Sequence, residues 1–407
     1  EHNPVFSQQN AENLTSNADS SFVNLGVVID LRCVRRECDR PETKGELVCS
    51  SRLIGNDVRN KIVQSELDSF AAEWTIATSE DQELLQKIKT TDYRPICIRG
   101  ITSNKKITLT ADPLDSRQWH HRVLKTSETY TDFTAAKASV KIAVIDTGFS
   151  PSNAPAGIAI KSYDGTSYGS TQATAENPGD CNGHGSLIAN LIADKWNDGI
   201  GGKGVAPEIE IASVRSYKTC DLTTSATDSY NAIQYALAKV KPDVLSLSFG
   251  TPSVGSGTLI LDALVSAIDK GVVVVTAAGN DHLDIGVTPL YPAAFASDYR
   301  GLISVGATNE KNEVSPFSNY SELLVEIAAP GEALAVPAPL FFTGQTKLLK
   351  LYNCEGSPRS YTCVISGTSF STPIAAAFAA RAISYLKSKE ITYSSATIEE
   401  ILNKAGT

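Results

Sequence analysis

Val140-Lys-Ile-Ala-Val-Ile-Asp146-Thr-Gly148 is the stretch whose reading decides the fold. Its apolar residues run on without the alternation of a half-wetted strand, so it reads as a strand buried on both faces. The run stops at an aspartate followed by Thr-Gly, a turn at a strand's carboxyl end. Four more runs share this character, at 209–214, 244–247, 272–277 and 302–305. Between them, amphipathic stretches from about 184 to 192, 228–237 and 259–269 read as helices, and the pattern predicts a last long helix over 371–386. Buried strands alternating with helices make an α/β doubly wound fold, a mostly parallel sheet with helices on both faces. Sites in such folds lie at the carboxyl ends of strands, where Asp146 and Asn280 fall.

At 407 residues the chain is long for one core, so a large and a small domain are expected. A polar leader over 1–20, a small β-rich domain over 21–111 and a larger domain over 112–407 divide it, with Asp112-Pro113 as the linker. The net charge of −9 argues against nucleic-acid and anionic-membrane partners, and no apolar run approaches a membrane span. The chain starts at Glu1 and contains no methionine, which points to a removed signal peptide. Eight cysteines without paired CxxC spacing fit an oxidising compartment, secreted or periplasmic. A monomer is expected. The sequons at Asn13 and Asn319 read as unmodified polar loops.

In the small domain Val23, Leu25, Val27 and Ile29 alternate as a strand. Further strands are predicted at 46–53, 71–77, 95–101 and 106–110, with a helix over 80–88 opened by Ser79. Three strands, a helix and two strands is the element order of an OB-like barrel.

Chemistry concentrates in the large domain. Asp146-Thr-Gly148, Asn182-Gly-His184-Gly-Ser186 and Ser366-Gly-Thr-Ser369-Phe-Ser-Thr-Pro373 supply an acid, a base and a nucleophile, each beside glycine. Ala277-Ala-Gly-Asn280 adds an amide donor. Acyl transfer to an unactivated serine needs these four parts. Of five histidines only His184 is flanked by glycines at a loop-to-helix junction; His282 reads as a surface residue. The chain order Asp, His, Ser differs from that of unrelated folds bearing the same triad.

With these motifs the chain from about Asp112 onward resembles the subtilisin-like serine proteases, the subtilases. Gly204-Val-Ala-Pro207, Leu245-Ser-Leu-Ser-Phe-Gly250, Tyr291-Pro292, Val305-Gly-Ala307 and Ala329-Pro-Gly331 follow in the family's order. Residues 1–110 resemble nothing recognised. Three departures stand out. Ser186 replaces a usual Thr, Phe370 follows the nucleophile where Met is common, and the span from Gly331 to Gly367 is long.

The resemblance implies a serine endopeptidase with Ser369 as nucleophile, His184 as base, Asp146 orienting the imidazole and Asn280 donating to the oxyanion. Ser248, Phe249 and Gly250 would form an open edge for the substrate peptide. Ala277, Ala278 and Gly279 would line the P1 pocket, with Leu290 making its floor shallow and apolar. The chemistry needs no cofactor, and protein or peptide substrates are the partners. Calcium occupancy stays open: the loop 196–202 resembles a family calcium site with Asp112 and Asp198 as ligands, but the usual carboxylate after Asp146 is missing from 152–156. Cys354 and Cys363 flank a turn signal and are expected to pair; Cys181 and Cys220 are the other candidates in this domain. Cys33, Cys38, Cys49 and Cys97 allow three pairings. The competing reading is a silent or permanently inhibited binding protein on a protease scaffold, and the intact set Asp146, His184, Asn280 and Ser369 speaks against it.

The segment before Asp112 is either an inhibitory prosegment or a permanent module, and its strand-rich order favours the module. Mass spectrometry of the active protein is then expected to find one chain of undiminished mass. A Ser369-dependent cut near Thr110 would establish the prosegment.

Overall fold

A strand that is apolar throughout must be covered on both faces, and the large unit is built around five such strands. The structure, a computed structural model, describes residues 25–30, 74–79, 98–103, 112–126, 138–150, 160–166, 179–197, 201–339, 342, 344–357 and 361–405. The chain divides into two units, Glu1–Thr108 and Leu109–Thr407, each described by itself.

In the first unit β1 (Leu25–Asp30) pairs antiparallel with both β2 (Trp74–Ser79) and β3 (Ile98–Ser103). The strands expected at 46–53 and 106–110, and the helix at 80–88, lie outside the described residues. The OB-like barrel is not supported. Among the described residues β2 and β3 each have one neighbour, so the sheet is open where a barrel needs a partner on both sides of each strand.

The second unit opens with the short helix α1 (Trp119–Val123), followed by β4 (Lys141–Asp146) and β5 (Ile160–Asp164). Next come α2 (His184–Ala193), β6 (Glu210–Arg215), α3 (Ala226–Tyr235), β7 (Val244–Leu247), α4 (Val254–Ile268), β8 (Val273–Ala277) and β9 (Leu302–Thr308). Short strands β10 (Ile327–Pro330) and β11 (Leu334–Pro337) lead to α5 (Thr346–Leu351), β12 (Cys354–Glu355) and β13 (Thr362–Ile365). The chain ends with α6 (Thr368–Ser388) and α7 (Ser395–Ala405).

Seven strands form one sheet in the order β10-β9-β8-β7-β4-β6-β5, and every pairing is parallel. This is the α/β sheet the apolar runs predict. β4 lies between β6 and β7: the chain runs from it to β5 and β6 on one side and then crosses to β7, β8, β9 and β10 on the other, so β4 is a switch point with a crevice at its carboxyl end. Alternate residues of each strand enter two cores. Ile142, Val144, Ile211, Val244, Val273 and Val275 pack with α2, α6 and α7, while Ala143, Ile145, Val214, Leu245, Leu247 and Val274 pack with α3 and α4.

The long helix α6 starts at Thr368, three residues before the predicted start, and Pro373 lies inside it rather than in a free first turn. Proline has no N–H for the carbonyl four residues back, which here is that of Ser369. The Ser248 hydroxyl donates to that carbonyl instead, at 2.8 Å. Further along, the fully buried Arg381 side chain meets Glu208 at 2.7 Å through Nε. That pair ties α6 to the loop before β6.

Truncating Glu208 removes a carboxylate from beside a buried guanidinium. Glu208→Ala is expected to lower stability by about 3 kcal/mol, read from the midpoint of urea unfolding. An unchanged midpoint would show that Arg381 finds another partner.

Candidate functional site

Asp146 is the last residue of β4 and has no solvent exposure. Its Oδ1 accepts the Thr147 amide at 2.7 Å and meets His184 Nδ1 at 2.8 Å. A carboxylate so placed accepts, so Nδ1 carries the proton and Nε2 of the neutral ring keeps its lone pair.

His184 is the first residue of α2, where backbone amides lack helical partners. Gly183 sits at φ 102° and provides no side-chain cap. Two other side chains do that work. Asp180 accepts from the amides of Asn182 and Gly183 with Oδ1, and from the amide and hydroxyl of Ser186 with Oδ2. Asn182 Oδ1 accepts from the His184 amide at 3.2 Å. Gly185 is required for closeness: its amide reaches Thr147 Oγ1 at 2.9 Å, and a Cβ there would stand 2.3 Å from the Gly148 carbonyl oxygen.

Burial alone would lower the His184 pKa. The charge and hydrogen bond of Asp146, with the charge of Asp180, outweigh it and raise the value above 6.5. Asp180 is itself raised, burial outweighing the hydrogen bonds it accepts.

Ser369 lies in the first turn of α6, half-buried. Its Oγ donates to the Ser248 carbonyl at 3.4 Å, at the limit of a hydrogen bond, so this proton is loosely held. The next residue, Phe370, packs on His184, with ring centroids 5.1 Å apart. Asn280, just beyond β8, is exposed and accepts with Oδ1 from the Thr368 amide at 2.8 Å and hydroxyl at 3.1 Å. The Thr368 hydroxyl oxygen in turn accepts the Gly279 amide at 3.1 Å. Among the described residues Asn280 Nδ2 has no partner, and it stands 3.6 Å from where a Cβ on Gly367 would be.

Of the other predicted residues, Ala277 and Ala278 are buried, and Phe249 is half-buried against the core over α3 and α4. Leu290 lies between the two proposed walls: its Cδ2 is 2.8 Å from a Cβ built on Gly250 and 2.6 Å from one built on Gly279. His282 is exposed, as expected. Cys181–Cys220 and Cys354–Cys363 are both bonded. A cavity of about 730 Å³ opens beside the base loop, lined by Asp180, Asn182, Arg215, Leu222, Lys347 and Leu351 among others.

Sequence reasoning missed Asp180, Thr368 and Asn319. Asn319 is buried and accepts from the amides of Asp281 and Leu283 while donating to the Ala278 carbonyl, which holds the turn after Asn280. Asp180 carried a signal, an Asx residue ahead of a helix start.

Calcium finds little here. The Asp112 carboxylate accepts the Asn197 amide at 2.7 Å, and Asp198 lies outside the described residues. Gln118 instead bonds both the amide and the carbonyl of Lys203, whose ammonium pairs with Asp115 at 2.7 Å. Among the described residues no three His, Cys, Asp or Glu side chains converge.

The family model of the Subtilase family matches residues 137–406. The minor extracellular protease Epr of Bacillus subtilis (strain 168) is 30% identical over 313 residues, covering 74% of this chain and 42% of that protein. The extracellular serine proteinase of Thermus sp. (strain Rt41A) is 32% identical over 281 residues, 68% of this chain and 57% of that protein. This chain therefore spans well under two thirds of either relative. A solved protease structure from Pseudoalteromonas arctica PAMC 21717 shares the fold, with a TM-score of 0.55 at 22% identity over 72% of this chain and 91% of that one.

The raised His184 pKa can be measured directly. An NMR titration of its imidazole is expected to give a midpoint above 6.5. Asp180→Asn, which removes a negative charge, is expected to move that midpoint down. A midpoint unaffected by Asp180→Asn would show that its charge is screened from the ring.

Proposed function

This chain belongs to the subtilase family, and from that premise we propose that it is a serine endopeptidase working through an acyl-enzyme on Ser369. The observation that carries this reading is the buried 2.8 Å bond between His184 Nδ1 and Asp146 Oδ1, at the carboxyl end of the switch-point strand. It leaves Nε2 free to take a proton.

The Ser369 hydroxyl turns from its long contact with the Ser248 carbonyl to His184 Nε2 and attacks the substrate carbonyl carbon. His184 takes the proton, and Asp146 stabilises the imidazolium through the Nδ1 hydrogen bond. The negative oxygen that develops is met by Asn280 Nδ2 and by an amide at the start of α6, where the helix dipole also favours negative charge. The bond to the leaving amine then breaks as His184 returns the proton to it. Water repeats the sequence on the ester and frees the enzyme. No step passes through a metal.

The substrate peptide lies along Ser248–Gly250, with its P1 side chain between Gly250 and Gly279 over Leu290. Leu290 fills that space with methyl groups, so small and medium apolar P1 residues are preferred over Arg or Lys. The disulfides beside the base and before α6 suit an oxidising compartment, and two relatives are extracellular by name. The chain acts as a secreted or periplasmic enzyme on flexible protein segments.

Wild-type protein is expected to take one fluorophosphonate per chain on Ser369. Ser369→Ala should lower turnover of casein by about 10⁶, the loss that removing a member of such a unit causes in this family. Casein cleaved by Ser369→Ala at the original rate would remove the assignment. Activity should rise with pH as His184 loses its proton, its acid limb centred above 6.5 because the pKa is raised. Leu290→Gly should improve cleavage after Phe or Tyr by about 1–3 kcal/mol relative to Ala. Unchanged Phe-to-Ala ratios would place Leu290 outside the pocket.

A further inference from the structure

Between Gly331 and Gly367 the chain makes an excursion whose ends are joined, the Gly367 amide donating to the Gly331 carbonyl at 2.8 Å. Inside it, Phe342 is fully buried, and its ring stacks on Tyr352 with centroids 5.6 Å apart and an interplanar angle of 20°. The Phe342 ring also lies so close to Gly183 that a Cβ there would meet its Cζ at 2.3 Å. The excursion is therefore seated on the loop that carries His184, and a side chain at position 183 would push it off.

It also makes a polar contact with that loop. The Tyr352 hydroxyl donates to Asn182 Oδ1. The same oxygen accepts the His184 amide, and Asn182 Nδ2 donates to the Cys220 carbonyl at 2.8 Å. Asn182 is only 3% exposed, so the loss of a donor leaves its side-chain oxygen less well satisfied. On the other side, Tyr352 is two residues from Cys354, which is bonded to Cys363 in β13. From β13 the chain runs directly through Gly367 to Ser369. One short path thus joins the backbone of the base to the helix start that bears the nucleophile.

We infer that Tyr352 is a positioning residue. Its hydroxyl, held by the Phe342 ring and the Cys354–Cys363 hairpin, fixes the Asn182 side chain and through it the register of His184 against Asp146 and Ser369. This rests on the endopeptidase reading above, and it gives the long span between Gly331 and Gly367 a task in that reaction. A phenylalanine at 352 keeps the stacked ring and loses only the hydroxyl.

The test uses the full chain with Tyr352→Phe. The expected result is a fall of about tenfold in kcat for a peptide substrate with KM unchanged, because a small misplacement of the base acts on the reacting geometry, together with a small fall in the thermal midpoint from the buried hydrogen bond that is lost. In proton NMR the downfield signal of the His184 Nδ1–H held by Asp146 should broaden. In an Asn182→Ala background, Tyr352→Phe should have no further effect on kcat, since both act through one bond. Wild-type kcat with an unaltered downfield signal would overturn the inference, as would losses that multiply in the double variant. A lowered thermal midpoint without a kcat effect would make Tyr352 a packing residue only. The NMR signal reads the imidazole without turnover. A chain lacking peptidase activity would therefore sink the functional reading, while the signal would still decide whether Tyr352 holds His184.

Discussion

A carboxylate without solvent exposure, at the end of a strand buried on both faces, is the constraint on which the rest of the structure depends. Removing an ionised group from water is tolerable only where donors replace the water. For Asp146 Oδ1 those donors are the Thr147 amide and His184 Nδ1. The pairing requires α2 to start within hydrogen-bonding reach of β4. The approach is closest at Gly185, where a side chain would collide with the Gly148 carbonyl oxygen. Gly185 is thus a consequence of burying Asp146.

The same demand passes to the neighbouring segments. Gly183 cannot cap α2 with a side chain, so Asp180 and Asn182 supply acceptors from upstream, and the Asp180 charge adds to that of Asp146 in holding the His184 pKa up. At α6 an interior proline leaves one carbonyl without its helical donor, and the hydroxyl of Ser248 supplies one. Thr368 binds the first turn of α6 to the turn at Asn280. Each segment that carries a reactive group is secured by a side chain from another segment. The loop at His184 is further held by the Cys181–Cys220 disulfide on one side and the Phe342–Tyr352 stack on the other.

Much of this was legible from residue order. The strand over 244–247 appears within the predicted bounds, the runs from 140, 209 and 272 became parallel strands that start one residue later, and the run from 302 extends to Thr308, because burial on both faces leaves an unbroken apolar signature. The Cys354–Cys363 bond was legible because a turn signal lies between its partners. The start of α6 lies three residues before the expected one, and nothing local announces that Ser248, 121 positions away, will meet the carbonyl that Pro373 leaves bare. The OB-like reading rested on element order, which carries no information about pairing.

What the sequence by itself determined is whatever adjacent residues encode: the alternation of buried strands with helices, and the four motifs holding Asp146, His184, Asn280 and Ser369. The tertiary structure alone decided which side chains hold those motifs in place. Asp180, Thr368, Asn319 and Tyr352 act through hydrogen bonds from single side chains, and such bonds leave no periodic trace. Tyr352 and Asn182 are separated by 170 positions. They meet because the sheet, the two cores over it and the excursion from Gly331 to Gly367 pack in one way, and that packing is a property of the whole chain.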